Sequence, residues 1–427
     1  MTEERLASIT ELPNTLTEDI DVASPGGIVK ILRQVDAQIF NGWNTYDALC
    51  DPELVSRISK AVDAAAAVLS YKGKKKVIFS GAGTSGRLSM FAARTFNRLA
   101  EQCGVEPCFH YMIAGGDLAL IKAQEGAEDD PNTAKKELRE LVGDAEKVMY
   151  VGITCGFSAA YVAGQLDLAA DDDKYYSALI GFNPPERARK LKIEHWDKRF
   201  YDVVQKIMDN PSCVLLNPVV GPEGITGSTR MKGGSATKLL IEVVFVAAMI
   251  KAKLISPTHL APVLKYEAWD MNNLIFGMLR QYENTRIDTY TERDDIARLV
   301  ELAGVALKSG KHVYYIGAGA YGVLGTIDAS ECPPTFGAAF DDVRGYLPGG
   351  WRELLDKDRD LSYAGKEYHI SLDDFIEQKL PHLSPEDLVV ILGKEDTINA
   401  HEQLLEKIKA MEAKLGAVLI NPIYNAF

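Results

Sequence analysis

Apolar positions in the first 75 residues recur at helical spacing, with Leu54, Ile58, Val62 and Leu69 on one face. Asp51 followed by Pro52 is a helix start, with Asp at the cap and Pro in the first turn. From Lys76 the pattern changes to short apolar runs separated by amphipathic stretches. The runs are VIFS (77–80), CFHYMI (108–113), VMYVGI (148–153), ALIGF (178–182) and CVLL (213–216). This alternation predicts a parallel sheet with helices on both faces. Helical spacing continues to about Tyr282, and ENTRIDTYTERD (283–294) is polar with no apolar period.

The same order then restarts. VYYIGAG (313–319) answers VIFSGAG, LVVILG (388–393) answers VMYVG, and AVLINP (417–422) answers ALIGFNP. The offsets, 236 for Gly81 to Gly317, 241 for Gly152 to Gly393 and 238 for Pro184 to Pro422, are nearly constant, as in a tandem duplication of a whole domain. The fold class expected is α/β, with two doubly wound parallel-sheet domains of three layers. Their boundaries are a helical N-terminal segment at 1–75, a first domain with C-terminal helices at 76–282, a linker at 283–294, and a second, shortened domain at 295–427.

Composition narrows the function. Forty-seven Lys and Arg against 60 Asp and Glu give a net charge of −13, which disfavours nucleic acid as a partner. The most apolar run, LLIEVVFVAAMI (239–250), is shorter than the ~20 residues of a membrane span and carries Glu242, so it reads as a buried helix and no membrane partner is expected. The acidic N-terminus lacks the apolar stretch of a secretion signal, which points to the cytoplasm. Six scattered cysteines without metal-ligand spacing read as free thiols; neither metal nor cofactor is expected.

Candidate chemistry centres on SGAGTSGR (80–87). A strand running into Gly-x-Gly and then a helix presents backbone N–H groups and a positive helix end, a geometry suited to phosphate. Gly81, Gly83 and Gly86 allow close approach, and Thr84 and Ser85 add hydroxyl donors. The Gly-Lys-Ser/Thr of a Walker loop is absent, as is the acidic residue that follows a dinucleotide fingerprint. Thr154 and Ser158 stand after the third strand at the same sheet edge, where they either add to a phosphate site or cap a helix. Glu125 and Glu128 share a face if EGAEDD turns helically; a solvated acidic patch is the alternative. In the second copy Ala320 and Tyr321 replace the hydroxyls, yet Glu331 lies eight residues beyond Val323, the counterpart of Arg87; eight beyond Arg87 is Thr95. If the halves pack like a symmetric dimer, the Ser85 turn and Glu331 form one composite site, and the Tyr321 turn with Thr95 forms a dead one. Drift in a duplicate would leave the same pattern.

Together GAGTSGRL, AGGD (114–117), EGAED, DASECPPTFG (328–337) and GPEGITGSTRMKGGSATK (221–238) resemble the sugar isomerase (SIS) domain family, in the branch holding bacterial N-acetylmuramic acid 6-phosphate etherase and the glucokinase regulatory protein. The resemblance spans roughly 24–422 and implies SIS-type domains that bind a sugar 6-phosphate. It implies that Gly83, Thr84, Ser85, Thr154 and Ser158 hold the phosphate, that Glu128 lies near the sugar, and that Glu125 and Glu331 are the catalytic pair. The etherase reaction eliminates D-lactate from C3 of the sugar and then hydrates it, so one carboxyl acts as acid and the other as base. The leading expectation is such a lyase; the alternative is a non-catalytic sensor of fructose phosphates that binds a sugar kinase. The regulator's C-terminal lid, which brings a lysine to the phosphate, does not follow here, and Arg87, Arg230 and Lys232 are substitutes that otherwise read as surface charges. Ser228 and Thr229 either line the site or cap the helix after them. A monomer built as a pseudo-dimer and a homodimer are both compatible with the repeat.

Overall fold

A computed structural model describes residues 8–46, 49–124, 126–256, 270–355, 358–394, 396 and 401–420. Two helices precede the first sheet, α1 (Pro25–Asn41) and α2 (Pro52–Ser70). Asp51 caps α2 as its sequence predicts, its Oδ1 accepting from Leu54 N at 2.8 Å.

The first domain holds β1 (Lys75–Gly81), α3 (Gly83–Gln102), β2 (Phe109–Ile113), α4 (Pro131–Val142), β3 (Lys147–Ile153), α5 (Ala160–Ala169), β4 (Tyr175–Ile180), α6 (Phe200–Asp209), β5 (Cys213–Leu216) and α7 (Lys232–Lys251). Its five strands are all parallel in the order β2-β1-β3-β4-β5. In that order the chain reverses direction across the sheet between β1 and β3, and ligands of open α/β sheets sit outside the carboxyl ends at this switch point. The register Gly81↔Ile153 puts the turns that follow the two strands side by side. Beneath them buried Gln165 ties the strands together, its Oε1 accepting from Ser80 Oγ at 2.6 Å and from the Tyr150 hydroxyl at 2.7 Å.

α7 is longer than its most apolar run suggests. Its 20 residues are long and apolar enough to cross a membrane, but the helix lies in the core against α2 and α3, in a cluster that includes Phe79, Phe96 and Phe245. Its charged Glu242 accepts from Lys238 at 2.6 Å and from the Tyr282 hydroxyl.

The stretch 283–294 is helical throughout: α8 (Met271–Thr289) runs through most of it, one 3₁₀ turn follows, and α9 (Arg293–Lys308) begins at once. Its polar composition reflects exposure on both sides of the helix rather than a break in it.

The second domain contains β6 (Val313–Gly317), α10 (Gly319–Phe336), β7 (Val343–Tyr346), α11 (Gly350–Leu355), α12 (Leu372–Gln378), β8 (Leu388–Gly393), α13 (Glu402–Ala410) and β9 (Lys414–Leu419). Its described strands are parallel in the order β7-β6-β8-β9, repeating the first four positions of the first sheet. The halves meet through an apolar cluster with Met90, Phe91 and Ile121 on one side and Val323, Ile327 and Trp351 on the other.

Candidate functional site

Two open helix starts face the switch point. α3 begins directly after β1, its flanking residue is Ala82, and no side chain caps it. Gly83 takes φ +52°, a backbone shape that glycine tolerates best. A Cβ on Gly81 would lie 2.6 Å from the Ser85 backbone carbon, and one on Gly86 would lie 2.4 Å from Ile113 Cγ1, so both must be glycine for the turn to close. Thr84 is half-buried and Ser85 buried at the first turn of α3.

Thr154 and Ser158 lie in the neighbouring turn, and neither caps α5, whose flanking residue Ala159 carries no cap either. Thr154 is buried and its Oγ1 accepts from Ser158 N at 3.4 Å, whereas Ser158 is exposed. Below this turn the N-terminal segment closes the floor. Ile9 N donates to Asn183 Oδ1 at 2.8 Å, and Asn183 Nδ2 donates to Ser8 Oγ at 2.9 Å and Gly156 O at 3.0 Å.

The third wall is the start of α7. Hydrogen bonds from Ser85 and Thr229 reach the buried Cys155 sulfur, which puts Thr229 beside the first glycine turn; burial first, and then Glu223, push this thiol up to about 12. Thr229 and Ser228 do not cap α7. Glu223 does, its two carboxylate oxygens each accepting at 2.8 Å, from Lys232 N and Gly233 N. Ser228 is buried instead, and its Oγ has no hydrogen-bond partner among the described residues. Glu223 is fully buried, and desolvation raises its pKa to about 7 against those two bonds.

Glu331 enters from the second domain. It is buried on α10 and forms an ion pair with Arg87, two residues beyond Ser85 on α3. Arg87 is therefore no surface charge: its Nε donates to Leu120 O at 2.8 Å, and its Nη2 is buried without a partner among the described residues. Lys232 is also fully buried, bonded to Gln38 Oε1 at 2.5 Å and Val220 O at 2.7 Å. Arg230 is largely covered by the second domain, donating to Asp328 Oδ1 at 3.0 Å and stacking on Phe336. Burial opposes its charge, but Asp328, Cys332 and Glu331 together hold its pKa above the ordinary value.

The acidic motif is less regular than expected. Glu128 lies in a 3₁₀ turn (Ala127–Asp129) and is exposed; crowding by protein and then Asp129 raise its pKa, with Arg189 opposing. Glu125 lies outside the described residues.

A doubly wound parallel sheet repeated in tandem, with an uncapped glycine turn at the switch point of the first copy, defines a SIS-type α/β fold. Residues 57–170 match the glucokinase regulatory protein N-terminal SIS domain, and residues 290–423 match that protein's second SIS domain. The chain is 34% identical to the glucokinase regulatory protein of Xenopus laevis over 96% of its own length and 66% of that protein's, and 34% identical to the Homo sapiens one over 95% and 64%. It is 33% identical to the N-acetylmuramic acid 6-phosphate etherase of Edwardsiella ictaluri (strain 93-146) over 58% of its own length and 71% of the etherase. The chain belongs to the SIS-domain family, in the branch that contains glucokinase regulatory proteins and N-acetylmuramic acid 6-phosphate etherases, and it spans just under two thirds of the length of these regulatory proteins.

Proposed function

We propose that this protein senses a sugar 6-phosphate and transmits its presence across the domain interface to a sugar kinase. The phosphate is held by Gly83, Thr84 and Ser85 from α3 and by Thr154 and Ser158 from the adjacent turn, with Glu128 toward the sugar. The observation that carries this reading is the buried Arg87–Glu331 pair. Arg87 follows the phosphate turn on the same helix, so a ligand anion there competes for the guanidinium that joins the two halves. A carboxylate engaged in that way serves as a relay more readily than as a proton donor to a departing ether oxygen. The test is capture of glucokinase by this protein with and without fructose 6-phosphate; capture indifferent to the sugar phosphate rejects the sensor.

A second reading, a lyase of the etherase type with Glu125 and Glu331 as its acid and base, is favoured by the position of Glu331 between the halves and by the similarity to the Edwardsiella ictaluri etherase. Lactate released from N-acetylmuramic acid 6-phosphate by the wild type, and lost in Glu331→Gln with sugar phosphate binding kept, would establish it.

A further inference from the structure

The second glycine turn has the same backbone as the first, and the chain fills it from within. Gly319 opens α10 at φ +60°, as Gly83 opens α3 at φ +52°. At α10, however, the carboxylate of Glu353 stands in front of the helix start. Its Oε1 accepts from Gly319 N, and its Oε2 accepts from Gly349 N at 2.9 Å. Glu353 is itself anchored to the first domain, because Arg94 Nε donates to its backbone carbonyl at 3.0 Å.

The repeat identifies what stands there in the first copy. Gly349–Gly350 corresponds to Gly115–Gly116, an offset of 349 − 115 = 234, and 353 − 234 gives Ala119. The structure agrees with the count: a Cβ on Gly349 would lie 2.9 Å from Glu353 Cβ, and one on Gly115 would lie 3.4 Å from Ala119 Cβ. At equivalent places one copy carries a carboxylate that reaches the turn and the other carries a methyl group that cannot. A helix start attracts one anion, and a carboxylate fixed there by its own chain meets that demand without a ligand.

We propose that Glu353 is an internal plug that closes the second turn to phosphate, so that the exchange of Ala119 for Glu353 assigns ligand binding to the first half and leaves one sugar phosphate per chain. This rests on the reading that the first turn holds phosphate, and it adds the reason why the second does not.

The experiment is titration calorimetry with fructose 6-phosphate and with inorganic phosphate, together with the amide ¹⁵N shift of Gly319, on the full chain. Wild type gives one binding event and an unmoved Gly319 amide. Glu353→Ala gains a second, weaker event and a phosphate-dependent Gly319 shift. Glu353→Gln, which is uncharged and whose amide can accept from only one of the two N–H groups that Glu353 satisfies, falls between wild type and Glu353→Ala. Ala119→Glu, confirmed folded by circular dichroism, loses at least 10-fold in affinity at the first turn. A Glu353→Ala protein with no added event and a silent Gly319 amide overturns the proposal, as does a folded Ala119→Glu protein with unchanged affinity. Failure of the reading that the first turn holds phosphate is separate: it appears as absence of binding in the wild type, while the Gly319 shift in Glu353→Ala still judges the plug.

Discussion

Arg87 and Glu331 lie 244 positions apart in the chain and form an ion pair whose side chains are 1% and 8% exposed. Removing one member of such a pair strands the other charge in the interior, at a cost of about 3–5 kcal/mol. Arg87→Met and Glu331→Leu are each expected to lower the unfolding free energy, read from guanidinium denaturation, by that amount. The double variant Arg87→Met/Glu331→Leu should lose less than the sum, because nothing is left unpaired. Additive losses in the cycle would show that the two residues do not interact.

The glycines of the first turn differ in what they tolerate. Gly86→Ala places a methyl 2.4 Å from Ile113 Cγ1 and 2.8 Å from the Gly81 carbonyl oxygen, so the turn must open. Binding of sugar phosphate, read by calorimetry, should fall by more than 10-fold. Gly83 has open space around its missing side chain, and its substitution by Ala meets only the left-handed backbone strain of roughly 1–2 kcal/mol. Gly83→Ala should therefore lower the thermal midpoint modestly.

Glu223 gives stability a pH dependence. Burial holds its pKa at about 7 in the native protein, above the ordinary 4.5. Between those values the folded chain keeps a proton that the unfolded chain has released. Its contribution is thus fully present below pH 4.5 and lost as pH rises through about 7. Unfolding free energy should fall across pH 5 to 7.5 by up to roughly 1.4 kcal/mol per pH unit from this group. The slope should flatten in Glu223→Gln, and an unchanged slope would assign the effect elsewhere.

Cys155 lies between Ser85, Thr229 and Glu223, with its thiol pushed up to about 12. The thiolate is the reactive form, so this cysteine should resist alkylation at pH 7.5 in the native state and react on unfolding. Mass spectrometry after a short iodoacetamide pulse reads the difference. Fast native labelling at Cys155 would mean that the turn around it opens.

The first sheet was legible because parallel strands buried on both faces read as continuous apolar runs, as VIFS and VMYVGI do. β7 was not, because VRGY carries Arg344, whose charge is covered by Asp341, by the carbonyls of Glu367 and His369, and by the rings of Phe340 and Tyr346. The cap of α7 was missed for a related reason: Glu223 sits nine residues before Lys232, outside the window in which caps are sought, and the nearer Ser228 and Thr229 took its place in the reading. Counting through the repeat singled out Glu331 as a residue that crosses between the halves. It did not single out Arg87 as the group that meets it, since an arginine is usually exposed and only the packed interface buries this one. The plug at Glu353 was visible in principle, by aligning the two Gly-Gly pairs and noticing a carboxylate opposite an alanine.

The ion pair between α3 and α10 also restricts how this polypeptide can be divided. A break between Arg87 and Glu331 that let the pieces drift apart would let water reach both charges, but it would also bare the apolar faces that Met90, Phe91 and Ile121 share with Val323, Ile327 and Trp351. Two single-domain descendants could not simply be cut from it.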